Sequence, residues 1–212
     1  MRELIKRLPI IGHLVERFIL GVKRLGRREA HAFPGTAEYW QRRYVSGGNS
    51  GEGSYGQFAE FKAQILNKFV ANNDIGSVIE FGCGDGHQLT LANYPNYLGL
   101  DVSAEAISIC EKKFGSNGNM KFKPLNAYAD EKAALTLSLD VMYYLIDDEL
   151  SEHHMHSLFS ASTRYLVIYS SDASNSTSLS EGPHVNHRQY AKWVEDNAVG
   201  WQFLEEIENT SP

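Results

Sequence analysis

Strand-like and helix-like segments alternate from residue 77 towards the C-terminus, and this predicts an α/β fold with a doubly wound, mostly parallel sheet. Two further observations agree with it. Tyr165-Leu166-Val167-Ile168-Tyr169 is an unbroken apolar run, as expected of a strand covered on both faces. Gly82, Gly84 and Gly86 directly follow the β-rich run Ser77–Phe81, where a strand must turn sharply into the next element.

The elements can be justified in order. Phe58, Phe61, Ile65, Leu66, Phe69 and Val70 recur at helical spacing and predict an amphipathic helix over 57–72, packed on the core. Ser77–Phe81 is the first core strand, and a helix through Leu89, Leu91 and Ala92 is expected after the glycines. Residues 97–102 form the next strand. Ser103 then N-caps a helix running through Ile107, Ile109 and Cys110 to Phe114, where Gly115 ends it. Strands are expected over 120–125 and 135–141. Asp147, Asp148 and Glu149 mark a helix N-terminus, where the dipole favours acids. The run 165–169 is the fifth strand, 189–198 a helix and 201–207 a last strand.

Composition narrows the classes. A chain of 212 residues, 42% hydrophobic and 22% charged, is long enough for one domain with a short appendage and too apolar for global disorder. Two cysteines cannot staple a secreted scaffold and stand in no metal-ligand spacing, which fits a reducing, cytoplasmic setting and no metal site. A net charge of −6 argues against nucleic acid as a partner. That charge is unevenly spread. Residues 1–30 carry Arg2, Lys6, Arg7, Arg17, Lys23, Arg24, Arg27 and Arg28 against Glu3, Glu16 and Glu29, a net +5, so the rest carries −11. The domain organisation is therefore a basic amphipathic helical arm at 1–30 and one domain at 31–212. Ile10, Ile11, Leu14, Val15, Phe18, Ile19, Val22 and Leu25 occupy one half of a helical wheel. Glu16-Arg17 interrupts the apolar stretch, so neither a signal peptide nor a membrane span fits. Two roles stay open: packing on its own domain or on a second copy in a homodimer, and peripheral contact with an anionic membrane surface.

Residues 35–56 combine Tyr39-Trp40-Gln41-Arg42-Arg43-Tyr44 with a glycine-rich stretch over 47–56. Glycine at this density suits neither a helix nor a strand interior. A flexible linker is one reading. The aromatics and Arg42-Arg43 favour another, a lid loop over a ligand, with Tyr39 and Arg43 making specific contacts.

In a parallel sheet of this kind ligands bind at the carboxyl ends of the strands. Gly82 and Gly84 would bring backbone N–H groups against a ligand there, and Asp101 ends the next strand, where a carboxylate can accept both hydroxyls of a ribose. The dinucleotide fingerprint needs its third glycine at position 87, which is His87, so a nicotinamide dinucleotide is disfavoured.

The run Glu80-Phe-Gly-Cys-Gly-Asp-Gly86 with Tyr97-Leu-Gly-Leu-Asp101-Val-Ser resembles the first two motifs of class I S-adenosylmethionine-dependent methyltransferases. Tyr39-Trp40 through Tyr55, Ser138 through Tyr144 and His184 through Arg188 extend the resemblance towards a bacterial subgroup found with glycan or small-molecule biosynthesis genes. The resemblance covers about 35–207 and implies a Rossmann-like sheet with S-adenosylmethionine as cofactor. It implies that Gly82, Cys83, Gly84 and Gly86 line the methionine and ribose part, with Glu80 orienting that loop. By the same resemblance Asp101 takes the ribose hydroxyls, Val102 lies against the adenine, Asn126 holds the adenine amine and Asp140 faces the methionine end.

Methyl transfer to a hydroxyl gains from a base titrating near neutrality, which points to histidine. His184 and His187, after the fifth strand, are the catalytic candidates; the alternative is that they cap the helix at 189–198. His153, His154 and His156 read as a surface helix, and Cys83 and Cys110 as structural. The resembling family closes its sheet with a seventh, antiparallel strand that has no counterpart before Pro212, so the edge is truncated or completed differently. The expected activity is methyl transfer to a hydroxyl or amine of a glycan, glycolipid or small metabolite. The alternative is a non-catalytic protein of the same fold that docks to a membrane or assembly through its basic arm.

Overall fold

The computed structural model describes residues 5–8, 33–171 and 184–209. Among these, seven strands form one sheet: β1 (Ile5–Leu8), β2 (Val78–Phe81), β3 (Tyr97–Asp101), β4 (Met120–Pro124), β5 (Ala133–Leu139), β6 (Ser162–Tyr169) and β7 (Leu204–Glu206). Their order is β4-β3-β2-β5-β6-β1-β7, and every neighbouring pair is parallel. The five central strands follow the expected doubly wound order.

Helices α1 (Thr36–Val45), α2 (Gly56–Asn72), α3 (Ala104–Phe114), α4 (Asp148–Ala161) and α5 (Tyr190–Asn197) are the described α-helices, joined by short 3-10 turns. Leu66, Phe69 and Val70 of α2 and Ile107 and Cys110 of α3 bury one face of the sheet against Val78, Leu135, Leu137 and Val167. Met155, Leu158 and Ala161 of α4 and Tyr190 of α5 cover the other face, against Ile79, Phe81, Leu166 and Ile168. Period-two alternation thus sends neighbouring strand residues to opposite layers, which is why Tyr165–Tyr169 of β6 reads as a continuous apolar run. The predicted caps form: Ser103 Oγ accepts from Ala106 N at 3.2 Å, and Asp147 Oδ1 accepts from Glu149 N at 2.9 Å.

Three expectations are corrected. The segment after Gly86 is not an α-helix but a single 3-10 turn, Gln88–Leu91, held from α2. Asn67 of α2 donates to Leu91 O at 2.8 Å and accepts from Asn93 N at 2.8 Å, so side-chain bonds do the work that a further helical turn would have done. Residues 35–56 are not all loop, because Thr36–Val45 is helix α1. The expected helix over 10–25 lies outside the described residues. Part of the basic arm, Ile5–Leu8, is a strand within the sheet rather than part of a separate helix. β1 lies between β6 and β7, so the position beside the fifth core strand is filled by a parallel strand from the start of the chain. No described helix is long and apolar enough to cross a membrane.

Candidate active site

The carboxyl ends of β2, β3 and β5 open into a cavity of about 410 Å³. This lies within the range of about 300–1,000 Å³ usual for small-molecule sites. Glu80, Gly82, Cys83, Gly84, Asp101, Val102, Asn126 and Asp140 all line it, as their positions at strand ends require.

The turn after β2 is shaped by its glycines. Gly82 has φ 90° and Gly84 φ 57°, a region that side-chain-bearing residues rarely adopt. A Cβ on Gly82 would run into Val141, and one on Gly84 into Ser50. This turn is stitched to β3: Gly84 N donates to Asp101 Oδ2 at 2.9 Å, and Ser103 N donates to Asp101 Oδ1 at 2.8 Å. Each carboxylate oxygen keeps a further lone pair for a ligand hydroxyl. Burial pushes Asp101 up to about 6, with the backbone N–H groups of Ser103 and Gly84 pulling the other way. Gly86 does not line the cavity; the space at its Cα is closed by Phe114 and Cys110, so it allows close packing against α3.

Beneath the turn, Glu80 accepts from Tyr97 OH at 2.6 Å. Burial raises its carboxyl to about 7, opposed by the Tyr97 hydroxyl and the charge of Lys62. A carboxyl raised in the folded state favours folding below its unfolded value of 4.5, and that contribution is lost as pH rises through about 7. The stability of the wild type relative to Glu80→Gln is therefore expected to fall by up to about 3 kcal/mol between pH 4.5 and 7.5. Denaturant unfolding of both proteins across this range checks it; a pH-independent difference would contradict the buried, raised carboxyl.

Asp140 leaves β5 with φ 58°, a left-handed conformation that aspartate tolerates and bulkier residues do not. Its Oδ2 pairs with Lys62 Nζ, its Oδ1 accepts from Tyr143 OH at 3.1 Å, and its N–H donates to Tyr169 O at 2.8 Å. Lys62 comes from α2 and is fully buried at 0% exposure.

The glycine-rich segment folds over the strand-end turn. Asp85 is its anchor, accepting from Ser50 N at 3.0 Å, Tyr55 OH at 2.7 Å and His87 N at 2.9 Å, while Asp85 N donates to Ser50 Oγ at 2.9 Å. Burial alone would raise the Asp85 carboxyl; the hydrogen bonds from Tyr55, His87 and Ser50 outweigh it and hold the group below its ordinary value. Gly53 sits so close to Asp140 that a Cβ there would lie 2.7 Å from its carboxylate oxygen.

Helix α1 supplies the outer wall through Thr36, Ala37, Trp40 and Tyr44. Tyr39 and Arg43, the sequence candidates, fall on the adjacent face and do not line the cavity. Tyr39 stacks on His184 at 4.9 Å between ring centres, and Arg43 Nε donates to Asn49 O at 2.6 Å. Trp40 meets Tyr144 edge-on at 4.9 Å and stacks on Tyr44 at 5.7 Å.

The two catalytic candidates separate. His184 lies behind the wall residue Tyr144, between Tyr39 and that near-parallel Tyr144 ring at 6.2 Å. His187 is turned away: its Nδ1 meets Ser171 Oγ, and it lines a second cavity with Arg188 and Trp193. Neither imidazole lines the main cavity. His154, read as surface, is buried with Nε2 2.9 Å from Ser138 Oγ, and burial lowers it to about 4. His153 and His156 are exposed, as expected of that helix. Among the described residues no cluster of His, Cys, Asp and Glu is arranged to hold a metal.

A parallel sheet in this order, with a glycine turn and a carboxylate at adjacent strand ends, has the architecture of class I S-adenosylmethionine-dependent methyltransferases. Solved structures agree on the fold. The N-methyltransferase NodS from Bradyrhizobium japonicum, solved with S-adenosylhomocysteine, is 16% identical, with 63% of this chain and 71% of that chain covered at a TM-score of 0.51. The methyltransferase domain of bacterial CtHen1-C is also 16% identical, with 64% and 80% covered at a TM-score of 0.50. No protein-family model and no curated protein matches the chain.

Proposed function

We propose that the protein is an S-adenosylmethionine-dependent methyltransferase whose acceptor presents a hydroxyl or amine on a glycan, glycolipid or small metabolite. The observation that carries this reading is the convergence of Gly82, Gly84, Asp101, Val102, Asn126 and Asp140 on one cavity closed by the 46–55 loop. These groups suit an adenosyl ligand: a carboxylate for the ribose hydroxyls, an apolar side chain for the adenine face and an amide for its edge.

The cofactor supplies an electrophilic methyl group on a sulfonium. Held by Gly82, Gly84, Asp101 and Asn126, it would offer that carbon to an acceptor oxygen or nitrogen, the sulfur keeping the electron pair of the carbon–sulfur bond and the acceptor proton passing to a base. The protein's part is alignment and exclusion of water, through the loop over Asp85 and the wall of Trp40, Tyr44 and Tyr144. Aromatic faces beside the hydroxyls of Thr36, Ser50 and Ser54 favour an acceptor with an apolar ring face and hydroxyls at its rim, such as a sugar ring. Of the two sequence candidates, His184, stacked on Tyr144 of the cavity wall, is the nearer to an acceptor entering there and is assigned the role of base. His187 is not proposed for this role. The non-catalytic alternative rests on an unfinished sheet, and β1 beside β6 removes that ground.

Calorimetric titration with S-adenosylhomocysteine, followed by incubation of labelled cofactor with sugar and lipid extracts, tests the reading. Binding and a labelled product are expected. Labelling is expected to fall about 100-fold or more in His184→Ala, the lower end of the range for a single general base, and to stay near wild type in His187→Ala. A folded sample that binds no adenosyl ligand sinks the proposal.

A further inference from the structure

We infer that Cys83 and Cys110 are a site of oxidative modification: a peroxide entering the main cavity joins them in an intramolecular disulfide, which displaces the glycine turn and weakens ligand binding. Formation of the bridge does not depend on the cofactor reading; its effect on binding rests on that reading.

Three observations converge. First, the two cysteines of the chain meet in the fold, although one follows β2 and the other lies on α3. Both sulfurs turn to one atom: Cys110 Sγ donates to Gly84 O at 3.2 Å, and Cys83 Sγ lies 3.9 Å from the same oxygen. The neighbouring Cys110 thiol, then burial and the charge of Asp101, push the Cys83 thiol well up. Second, glycines clear the space beside each sulfur. A Cβ on Gly99 would lie 2.9 Å from Cys83 Sγ, and one on Gly86 would lie 2.9 Å from Cys110 Sγ. Third, access is one-sided. Cys83 lines the main cavity, whereas Cys110 is fully buried and does not line it. A small oxidant therefore reaches Cys83 first, and Cys110 stands behind it as the resolving thiol.

The chemistry balances with a peroxide as oxidant. The Cys83 sulfur, having given up its proton, attacks one peroxide oxygen; the oxygen–oxygen bond breaks, a sulfenic acid forms, and the other oxygen leaves as water with that proton. The Cys110 sulfur then attacks the Cys83 sulfur. A sulfur–sulfur bond forms as the sulfur–oxygen bond breaks, and the hydroxyl leaves with the Cys110 proton as a second water. The thiol pair loses two electrons and the peroxide gains them. Because the thiolate is the reactive form and the Cys83 thiol is pushed up, the first step is slow, so the pair rests reduced and responds to sustained oxidant.

The consequence falls on the site. A bridge removes both S–H groups from Gly84 O and draws the turn towards α3. Gly84 N is also the donor that holds Asp101 Oδ2 at 2.9 Å, so the displacement reaches the carboxylate assigned to the ribose. A ligand filling the cavity would cover Cys83 and slow its oxidation.

The test treats the full chain with excess hydrogen peroxide, with and without S-adenosylhomocysteine, and maps unreduced peptides by mass spectrometry. The peptides carrying Cys83 and Cys110 are expected joined within one chain, more slowly when the ligand is present. The joined protein should bind S-adenosylhomocysteine at least about tenfold more weakly, the scale of one hydrogen bond, and recover its affinity with dithiothreitol. In Cys110→Ala, Cys83 should be recovered as sulfenic or sulfinic acid, with no joined peptide. Recovery of both wild-type cysteines as free thiols, or joined only between chains, overturns the inference. So does a joined protein that binds as tightly as the reduced one. Reduced protein that binds no adenosyl ligand overturns the cofactor reading instead, and the peptide map still decides the bridge.

Discussion

Asp101→Asn is expected to weaken S-adenosylhomocysteine binding by about 100-fold while the protein stays folded, because two charge-assisted ribose bonds are at stake. The carboxylate serves four donors at once when a ribose is present: two backbone N–H groups of the protein and two hydroxyls of the ligand. Asparagine keeps the shape, but one of its two acceptor positions becomes a donor. That NH₂ must then face Gly84 N–H or Ser103 N–H, and the ribose loses a charged acceptor. The protein itself should lose about 1–3 kcal/mol of stability, from one buried backbone donor left unpaired. The same residue predicts a pH dependence. Burial raises Asp101 to about 6, and ribose hydroxyls bind its ionised form, so wild-type affinity should rise from pH 5 to 7 and then level off. Calorimetry of both proteins at pH 5, 6 and 7 measures this. Binding by Asp101→Asn within threefold of wild type would remove the ribose assignment.

Much of this site was legible because its parts sit where chain geometry forces them. A glycine turn directly after a β-rich run and an aspartate at the end of the next one leave little freedom in a parallel sheet. The missed residues share a different cause. Lys62 lies in a helix whose buried positions include Ala59, Ala63, Leu66 and Phe69, so it occupies the apolar stripe itself. A lysine there needs a buried partner, and that signal was available although the stripe reads as packing. In α1 the glycines after position 46 suggested a loop and concealed a ten-residue helix. Trp40 and Tyr44 share one helical face, and Tyr39 and Arg43 share the next, about 100° away. One residue of phase separates the cavity wall from its outer side, and without the helix that phase cannot be read. His184 and His187 fail to pair for a related reason: position in the chain says which end of the sheet they occupy, not which cavity they face.

The described sheet shows how a chain can complete a fold by unexpected means. In the resembling family a seventh strand follows the last core strand in sequence, whereas here the place beside β6 is held by Ile5–Leu8. Local propensity carries no information about such a long-range pairing, since a four-residue strand gains its stability from its two neighbours. Basic residues Lys6 and Arg7, counted with the arm, belong to this strand. Of the arm, Ile5–Leu8 therefore shares one sheet with the −11 remainder.

Asp85→Ala should release the glycine-rich loop and reduce methyl transfer about 100-fold, although Asp85 does not line the cavity. Its carboxylate receives Ser50 N, Tyr55 OH and His87 N, each a bond to a charged acceptor worth about 1.5–3 kcal/mol. These bonds share one group and are not additive, so a stability loss of about 3 kcal/mol is expected rather than their sum. Tyr55 also stacks on His87 at 3.9 Å, which ties the loop end to the strand-end turn through the same anchor. Without it, Ser50 and Gly53 lose their hold over Gly84 and Asp140, water reaches the reacting centre, and alignment suffers. The contribution is full at neutral pH: a depressed carboxyl stabilises the fold above its unfolded value of 3.8 and loses that effect as pH falls through its lower folded value. Limited proteolysis mapped by mass spectrometry should show cleavage within 46–55 in Asp85→Ala and protection in the wild type. Ser50→Ala, which keeps the backbone bond from Ser50 N but loses the hydroxyl contacts to Asp85 N and Tyr44, should fall between the two. Equal protection in all three proteins, with unchanged transfer, would mean that the loop holds its place without Asp85.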